Sequence, residues 1–469
     1  MVIRLAINRV LRDRTLKDCT IDTMTNVSRY SVDRPMFAET PRASACPTYK
    51  LDNSATRVDI ALLVSALFLQ RFSLSFGNSS TLQLDIVPAA LIFVHQFASG
   101  RLLIQYDRLL WFLVMGLTAT ASLLLNFKST MLSSYGLFLV IYSLFALSRS
   151  STPDQYKSTL HGFQYLVLIL SCLGMAQFAA QFVVDGRQLI MFYGIFPNFL
   201  LPSPGSIGGT APWNTIGKVS VGGLSLIKSN GIFLVEPSTM SQMAALAILI
   251  EVLVFRRPRY LILLTFGLLL AYSGTGISIL ILSFPLAVLI NRRAQLPVLL
   301  ISLFAFGLLA TGIIHLSAFT ERVDEFENTG ASGFIRFISP FWMAADYFDT
   351  ASLPELLFGN GPGYGYVPPR AFYYASGNTW FNLFYEYGLI GVFVFTCFLG
   401  SCFRRSRCPT ALIAGLIYHY LFTGNNLLDS PLLIIMVVLC TLNGPEPRRG
   451  RSDETSHHRS SLVAGSAVG

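Results

Sequence analysis

The sequence predicts an all-α polytopic membrane protein, and three observations carry that expectation. Of its 469 residues, 53% are hydrophobic and 13% charged, whereas soluble domains carry about 25% charged residues. The mean hydropathy of +0.56 leaves too few polar side chains to cover the roughly three soluble domains that this length would otherwise make. Apolar runs of bilayer-spanning length also recur along the whole chain. The net charge of +9, from 34 Lys and Arg against 25 Asp and Glu, therefore reports topology rather than a nucleic-acid partner.

In chain order the apolar runs give twelve expected spans, at 58–76, 81–98, 108–126, 131–148, 161–183, 239–255, 259–272, 275–291, 296–314, 380–401, 408–423 and 429–443. Basic residues crowd alternate loops: Arg101 and Arg108, Arg149 and Lys157, Arg256, Arg257 and Arg259, Arg292 and Arg293, then Arg404, Arg405 and Arg407. Of the short loops between them only one holds a basic residue, Lys128. The positive-inside rule places the first set and both termini in the cytoplasm of a cell whose inner membrane holds the chain. Because arginines flank 259–291 on both sides, that stretch needs an even number of crossings. A tight outer hairpin at Tyr272-Ser273-Gly274-Thr275-Gly276 supplies it.

Residues 1–57 form an expected cytoplasmic, disordered arm without a cleavable signal peptide, translation from Met24 or Met36 being the alternative. The multi-span domain is 58–443, and 444–469 is a polar, disordered cytoplasmic tail. No internal repeat is evident. Two long segments, 184–238 and 315–379, fall on the outer side. Neither holds a cysteine, so no outer disulfide forms, and no Cys or His spacing suits a metal.

Those outer segments hold the candidate chemistry. The first ends in Lys228-Ser229-Asn230-Gly231-Ile232-Phe233-Leu234-Val235-Glu236-Pro237-Ser238. Glu236 stands at the mouth of a span, either as a helix cap or as a base accepting a proton from an acceptor hydroxyl. The second opens on the charged run Glu321 to Glu327, with Arg322 within it, and reaches Arg336 among aromatic and aliphatic neighbours. An arginine there needs an anion or a carboxylate, and phosphate suits its fork. Four glycines within Phe358–Gly365 make either a plain turn or a loop whose amides approach an anion or a sugar. Then Asn378, Asn382 and Glu386 recur at helical spacing around Trp380, lining one expected face of the next span. Glu386 is an ionisable residue inside that span, a sign of function, or of packing against a polar group on another helix. Arg71 and Asp85 lie at matching depth across the first outer turn and read as an ion pair. His95, His161 and His419 are isolated and receive no role, while His315 is a weaker catalytic candidate.

In their order these motifs resemble the O-antigen polymerase and ligase superfamily of bacterial envelope glycan enzymes. The matching pieces are Gly-x-Phe-x-x-Glu-Pro-Ser within Lys228–Ser238, the Ser273–Gly276 hairpin, Arg336 in a loop ending at Gly359–Gly365, and Asn378–Gly391. The resemblance implies a GT-C-like fold, and polymerisation of polyprenyl-diphosphate-linked repeat units at the outer face of the inner membrane. It implies Glu236 and Arg336 as catalytic, with Lys228, Arg322, Asn378, Trp380, Asn382 and Glu386 binding substrate. Tyr364, Tyr366, Tyr373, Tyr374 and Tyr385 join Trp380 as candidates for stacking on sugars, or as an interfacial belt. The implied partners are the lipid-linked glycan, membrane lipid and a chain-length regulator, with no metal, cofactor or nucleic acid. Two alternatives stay open, a glycan ligase and a lipid-linked glycan flippase. Gly377 stands before Asn378 where ligases read His-Asn, which weighs for polymerisation. Polar residues gathered at the outer boundary, rather than in a midplane site, weigh against transport.

Overall fold

The computed structural model describes residues 54–76, 80–127, 131–183, 218–221, 224–310, 326–329, 331–363, 378–424 and 426–444. All but Ser54 of these belong to one unit, Ala55–Gly469. Arg322, Lys128, His315, Tyr364, Tyr366, Tyr373 and Tyr374 lie outside the described residues, as do most of the expected arm, the tail and much of both outer segments.

Helices dominate. α1 (Ser54–Phe68) leads to an antiparallel hairpin of β1 (Ser73–Phe76) and β2 (Ser80–Gln83), then to α2 (Ile86–Ala98). β3 (Leu103–Ile104), α3 (Tyr106–Leu125), α4 (Leu132–Ser143), β4 (Leu147–Ser150) and α5 (Pro153–Ala180) follow. A second hairpin, β5 (Lys218–Val221) and β6 (Leu224–Ile227), precedes α6 (Pro237–Ile250), α7 (Pro258–Leu270), α8 (Gly274–Ile290) and α9 (Gln295–Ala310). Three short helices, α10 (Ser332–Phe337), α11 (Ser339–Thr350) and α12 (Leu353–Phe358), come before α13 (Thr379–Phe403), α14 (Thr410–Phe422), α15 (Ser430–Met436) and β7 (Asn443–Gly444).

Among the described residues, four helices are long and apolar enough to cross a membrane: α3, α5, α6 with its π-turn extension to Phe255, and α13. Each of the other expected spans coincides with a shorter helix. The first departs most from expectation. Its helix stops at Phe68, because Gln70 and Arg71 bring polar groups that need partners. Gln70 donates to the Leu67 carbonyl at 3.2 Å and Arg71 to the Ile232 carbonyl at 2.6 Å. The stretch 259–291 is two helices, broken between Leu270 and Gly274, where Tyr272 takes a φ of 44°.

α6 is the hub. Nearly every residue from Pro237 to Ile250 is buried, as expected of a helix apolar all round. Around the outside, Leu110, Leu113, Leu117 and Leu124 of α3, Ile281 and Leu289 of α8, and Leu299, Leu303 and Phe306 of α9 stay exposed. Such broad apolar exposure exceeds what water-soluble monomers carry and suits a lipid surround.

Two polar regions sit at opposite ends of α5, whose 28 residues measure about 42 Å. Near its start, Arg149 pairs with buried Asp59, which also accepts from Thr159 at 2.6 Å and Asn443 at 3.1 Å. Parallel pairing of β4 with β7, and antiparallel pairing of β3 with β4, gathers the chain before α3, before α5 and after α15 here. Glu251 and Arg257 form a two-pronged pair at 2.9 Å on each prong, with the Arg257 guanidinium over the Tyr260 ring at 3.8 Å. Arg108 donates to the Thr441 carbonyl at 2.9 Å. The far end of α5 holds the candidate site.

Candidate active site

The approach to Glu236 is built on α5. Gln181 accepts from the Ile227 amide at 2.8 Å, and Gln177 accepts from the Asn230 amide at 3.1 Å. Gly231 then lies where a side chain would meet the Leu170 carbonyl at 3.0 Å. The contacts step down α5 from 181 to 170, so the chain descends along the helix, an interval of about 16 Å. Gly231 and Ile232 both take left-handed conformations, at φ of 68° and 69°, which is costly for a β-branched residue. Two contacts hold Ile232 there: its amide donates to the Asn230 side chain at 3.1 Å, and its carbonyl accepts from Arg71. Arg71 and Asp85 thus do not form the expected ion pair among the described contacts. Asp85 accepts from Ser430 at 2.8 Å instead. Lys228 sits half-buried near the top of the descent, engaged in contacts of its own.

Glu236 is the N-cap residue of α6, extended at φ −136°, with Pro237 at the first helical position. Its side chain does not cap the helix. Instead Oε2 accepts from Ser238 Oγ at 2.6 Å and from Arg336 Nη2 at 2.7 Å. The two side chains remain 24% and 21% exposed. The Ser273–Gly276 hairpin packs directly on this first turn of α6. Ser241 donates to the Ser273 carbonyl at 3.0 Å and accepts from the Gly276 amide at 3.2 Å. A side chain at Gly276 would meet the Ser241 carbonyl at 2.2 Å, so only glycine lets the two helix starts approach this closely.

Arg336 lies in the last turn of α10. Nη2 alone is engaged, and Nε and Nη1 donate to nothing among the described residues. The backbone carbonyl of Arg336 accepts from Asn378 Nδ2 at 2.5 Å, and the same nitrogen donates to the Phe422 carbonyl at 3.1 Å. Asn378, the N-cap residue of α13, therefore fastens α10 and the end of α14 to the start of α13. Its Oδ1 is buried without a partner. Gly424, at φ 94°, lies against the arginine's stem: a Cβ there would stand 2.8–3.0 Å from Cγ, Cδ and Nε.

The expected single face of Asn378, Asn382 and Glu386 divides. Asn382 donates to Asn426 at 3.3 Å, beside the Asn378 contacts with α14. Glu386 instead faces the glycine loop, where its carboxyl meets the Gly363 amide and its carbonyl accepts from Gly361 at 3.0 Å and from Ser122 at 2.8 Å. All three precede the kink in α13 at Gly388 (φ 67°, ψ −172°), and at 3.6 residues per turn the eight residues from Asn378 to Glu386 carry the face round by about 80°, enough to change its partners. Gly359 and Gly388 press into each other's surroundings: a Cβ on Gly359 would lie 2.3 Å from the Glu386 carbonyl carbon, and one on Gly388 2.3 Å from that of Leu357. The described part of the glycine loop is thus a backbone clamp on α13. Asn126 fixes the Gly359 carbonyl at 3.0 Å, and Asn360 donates to the Tyr347 hydroxyl at 2.7 Å. Burial, with Glu355 nearby, pushes the Tyr347 phenol up to about 12, so it stays a neutral donor to the Glu355 carbonyl at 2.9 Å.

Trp380 and Tyr385 belong to an aromatic layer that seats α10 and α11 on α13. Tyr385 stacks on Phe381 at 5.8 Å and meets Tyr347 edge-on at 4.9 Å. Trp380 packs at 5.1 Å on Phe341, and its indole nitrogen is buried without a partner. Sequence reasoning missed Gly424, Gln242 and Thr423. Gln242 of α6 donates to Thr423 at 3.2 Å, and Thr423 also bonds His419 Nδ1 at 2.8 Å, tying the two helices together below the pair. Glycine just past a helix end is the signal that was available for Gly424.

A family model described as WcaD colanic acid polymerase matches residues 58–443. No curated protein and no solved structure matches.

Proposed function

The chain belongs to the WcaD colanic acid polymerase family, and from that premise we propose that it joins repeat units of a lipid-linked envelope polysaccharide. Membership makes it a polysaccharide repeat-unit polymerase, a polymerising glycosyltransferase held by apolar helices, and favours neither the ligase nor the flippase reading. The donor in this reading is a polyprenyl-diphosphate-linked glycan at the outer face of the inner membrane. Twelve crossings of a GT-C-like domain, 58–443, leave both termini and the flanking arm and tail in the cytoplasm. A chain-length regulator is a further partner.

One observation carries the mechanism: Arg336 and Glu236 meet at 2.7 Å while, among the described residues, the rest of the guanidinium stays unengaged. A donor diphosphate competes for the arginine, whose free edge suits two oxygens at once. The acceptor hydroxyl oxygen attacks the anomeric carbon of the donor sugar. The bond to the diphosphate breaks, and the diphosphate leaves with the electron pair, its added charge met by Arg336. Glu236, released from the arginine and oriented by Ser238, takes the hydroxyl proton. Asn378 positions Arg336 through its carbonyl, and Asn382 extends the polar rim. Lys228 and Arg322 supply further positive charge for the donor, Trp380 borders the donor's membrane end, and Glu386 serves through the loop it holds.

The test is what accumulates. Membranes carrying Arg336→Ala or Glu236→Gln should hold inserted protein and outer-leaflet lipid-linked single repeats, but no polymer. Repeats confined to the inner leaflet would indicate a flippase, and finished polymer retained on its lipid carrier a ligase. Normal polymer from both variants would remove the pair from catalysis.

A further inference from the structure

An open-sided apolar cavity of about 540 Å³ runs along α13. Trp380, Phe348 and Leu421 line its upper end, and Leu399, Phe403 and Ile413 its lower. The lining is hydrocarbon almost throughout, and the Thr396 hydroxyl within it is already spent on the Val392 carbonyl at 2.7 Å. From Trp380 to Phe403 α13, kinked at Gly388, rises by at most about 35 Å, comparable with the hydrocarbon core of about 30 Å.

Resting on the polymerase reading above, we infer that this groove holds the polyisoprenoid tail of the lipid-linked glycan. Length argues for that occupant. A phospholipid acyl chain ends within its own leaflet, about half the hydrocarbon core, whereas one long polyprenyl chain fills a groove crossing both. Charge argues for it too. Both walls end at Asn378: Trp380 follows it by two positions, and Phe422, next to Leu421, gives it a carbonyl at 3.1 Å. The same Asn378 side chain holds the carbonyl of Arg336. A tail lying in the groove therefore delivers its anionic headgroup to the part of that guanidinium that meets no other described residue. The partnerless Trp380 indole N–H lies at this junction of tail and headgroup.

Gly400 provides the test, because it borders the groove and a Cβ there meets nothing within 4 Å. In the purified full-length protein, Gly400→Phe and Thr396→Trp should each weaken binding of a long-chain polyprenyl diphosphate by about tenfold or more. Neither should change binding of geranyl diphosphate, whose tail is too short to reach them. Arg336→Ala should weaken both ligands. Unchanged long-chain affinity in both groove variants, with Arg336→Ala still damaging, overturns the groove and spares the polymerase reading. Unchanged affinity in all three also removes Arg336 from the donor site. A benzophenone side chain at Ile417 gives a second measurement that needs no blocked groove. It should label the polyprenyl diphosphate in competition with phosphatidylglycerol vesicles. Labelling of phosphatidylglycerol alone, undiminished by excess polyprenyl diphosphate, assigns the groove to ordinary lipid and overturns the inference.

Discussion

Arg336 and Glu236 stand one hundred positions apart in the chain and 2.7 Å apart in space. One comes from a short helix in the second long segment, the other from the mouth of the central helix. Only about a fifth to a quarter of either side chain is exposed. Such a pair is either a brace or a machine, and substitution separates the two. A brace tolerates reversal of its charges, since the attraction is symmetric. A machine does not, because the acid must accept a proton and the arginine must meet a diphosphate. The double variant Arg336→Glu with Glu236→Arg should therefore insert normally and make no polymer. Arg336→Lys should recover part of the roughly 10²–10³-fold loss expected of Arg336→Ala, because an ammonium keeps the charge but not the fork. Gel analysis of extracted glycans reads both, and wild-type polymer from the reversed pair would reduce it to a brace.

Gly424 should behave as a positioning residue. Its φ of 94° disfavours any side chain, and the first atom added would press on the stem of Arg336. Strain of about 1–3 kcal/mol at such a position is relieved by moving the arginine. Gly424→Ala should thus lower polymerisation about tenfold, and Gly424→Val more. Diphosphate binding should weaken in parallel, while the melting temperature in detergent changes little. A large fall in melting temperature with affinity intact would mean that the glycine serves folding alone.

The clamp between Gly359 and Gly388 should report on stability first. Both are in left-handed conformations, and neither site has room for a Cβ. Alanine at either should destabilise the solubilised protein by about 1–3 kcal/mol. The double variant should cost less than the sum, since the first substitution already opens the contact. Thermal unfolding followed by tryptophan fluorescence measures this, and full additivity would show that the two glycines do not share a contact.

Much of the fold was legible because bilayer-length apolar runs and arginine-rich loops are local signals. The break at Tyr272 followed from glycine and charge placement, and the place of Glu236 at a helix start from Pro237. What escaped was three-dimensional. Helical spacing put Glu386 on a face with Asn378, but that face drifts by about 80° over eight residues, and the Gly359–Gly363 backbone that meets Glu386 is brought there by tertiary packing that no periodicity rule gives. Arg71 and Asp85 matched in depth, yet the helix stops at Phe68, and a carbonyl from residue 232 satisfies the arginine. Glu236 and Arg336 were each identifiable by chemistry, but their meeting depends on Asn378 bridging three helices, a relation no spacing encodes.

The topology proposed here can be tested at two exposed positions. Contacts along α5 place the Asp59–Arg149 cluster near its start and the Gln177–Gln181 contacts at its end. Thr159 and Gln177 are eighteen positions apart, about 27 Å of helix, close to one hydrocarbon thickness. The arginine-bearing loops should therefore meet the cytoplasm, where the positive-inside rule puts them, and the short helices around Arg336 should face outward. Ser352 opens α12 beyond the site, and Arg293 lies between α8 and α9. In a chain stripped of its native cysteines, Ser352→Cys should react with an impermeant maleimide in intact inner-membrane spheroplasts. Arg293→Cys should react only after the membrane is permeabilised. The opposite order would invert the protein, placing Arg336 and Glu236 on the cytoplasmic face and away from an outer-leaflet donor.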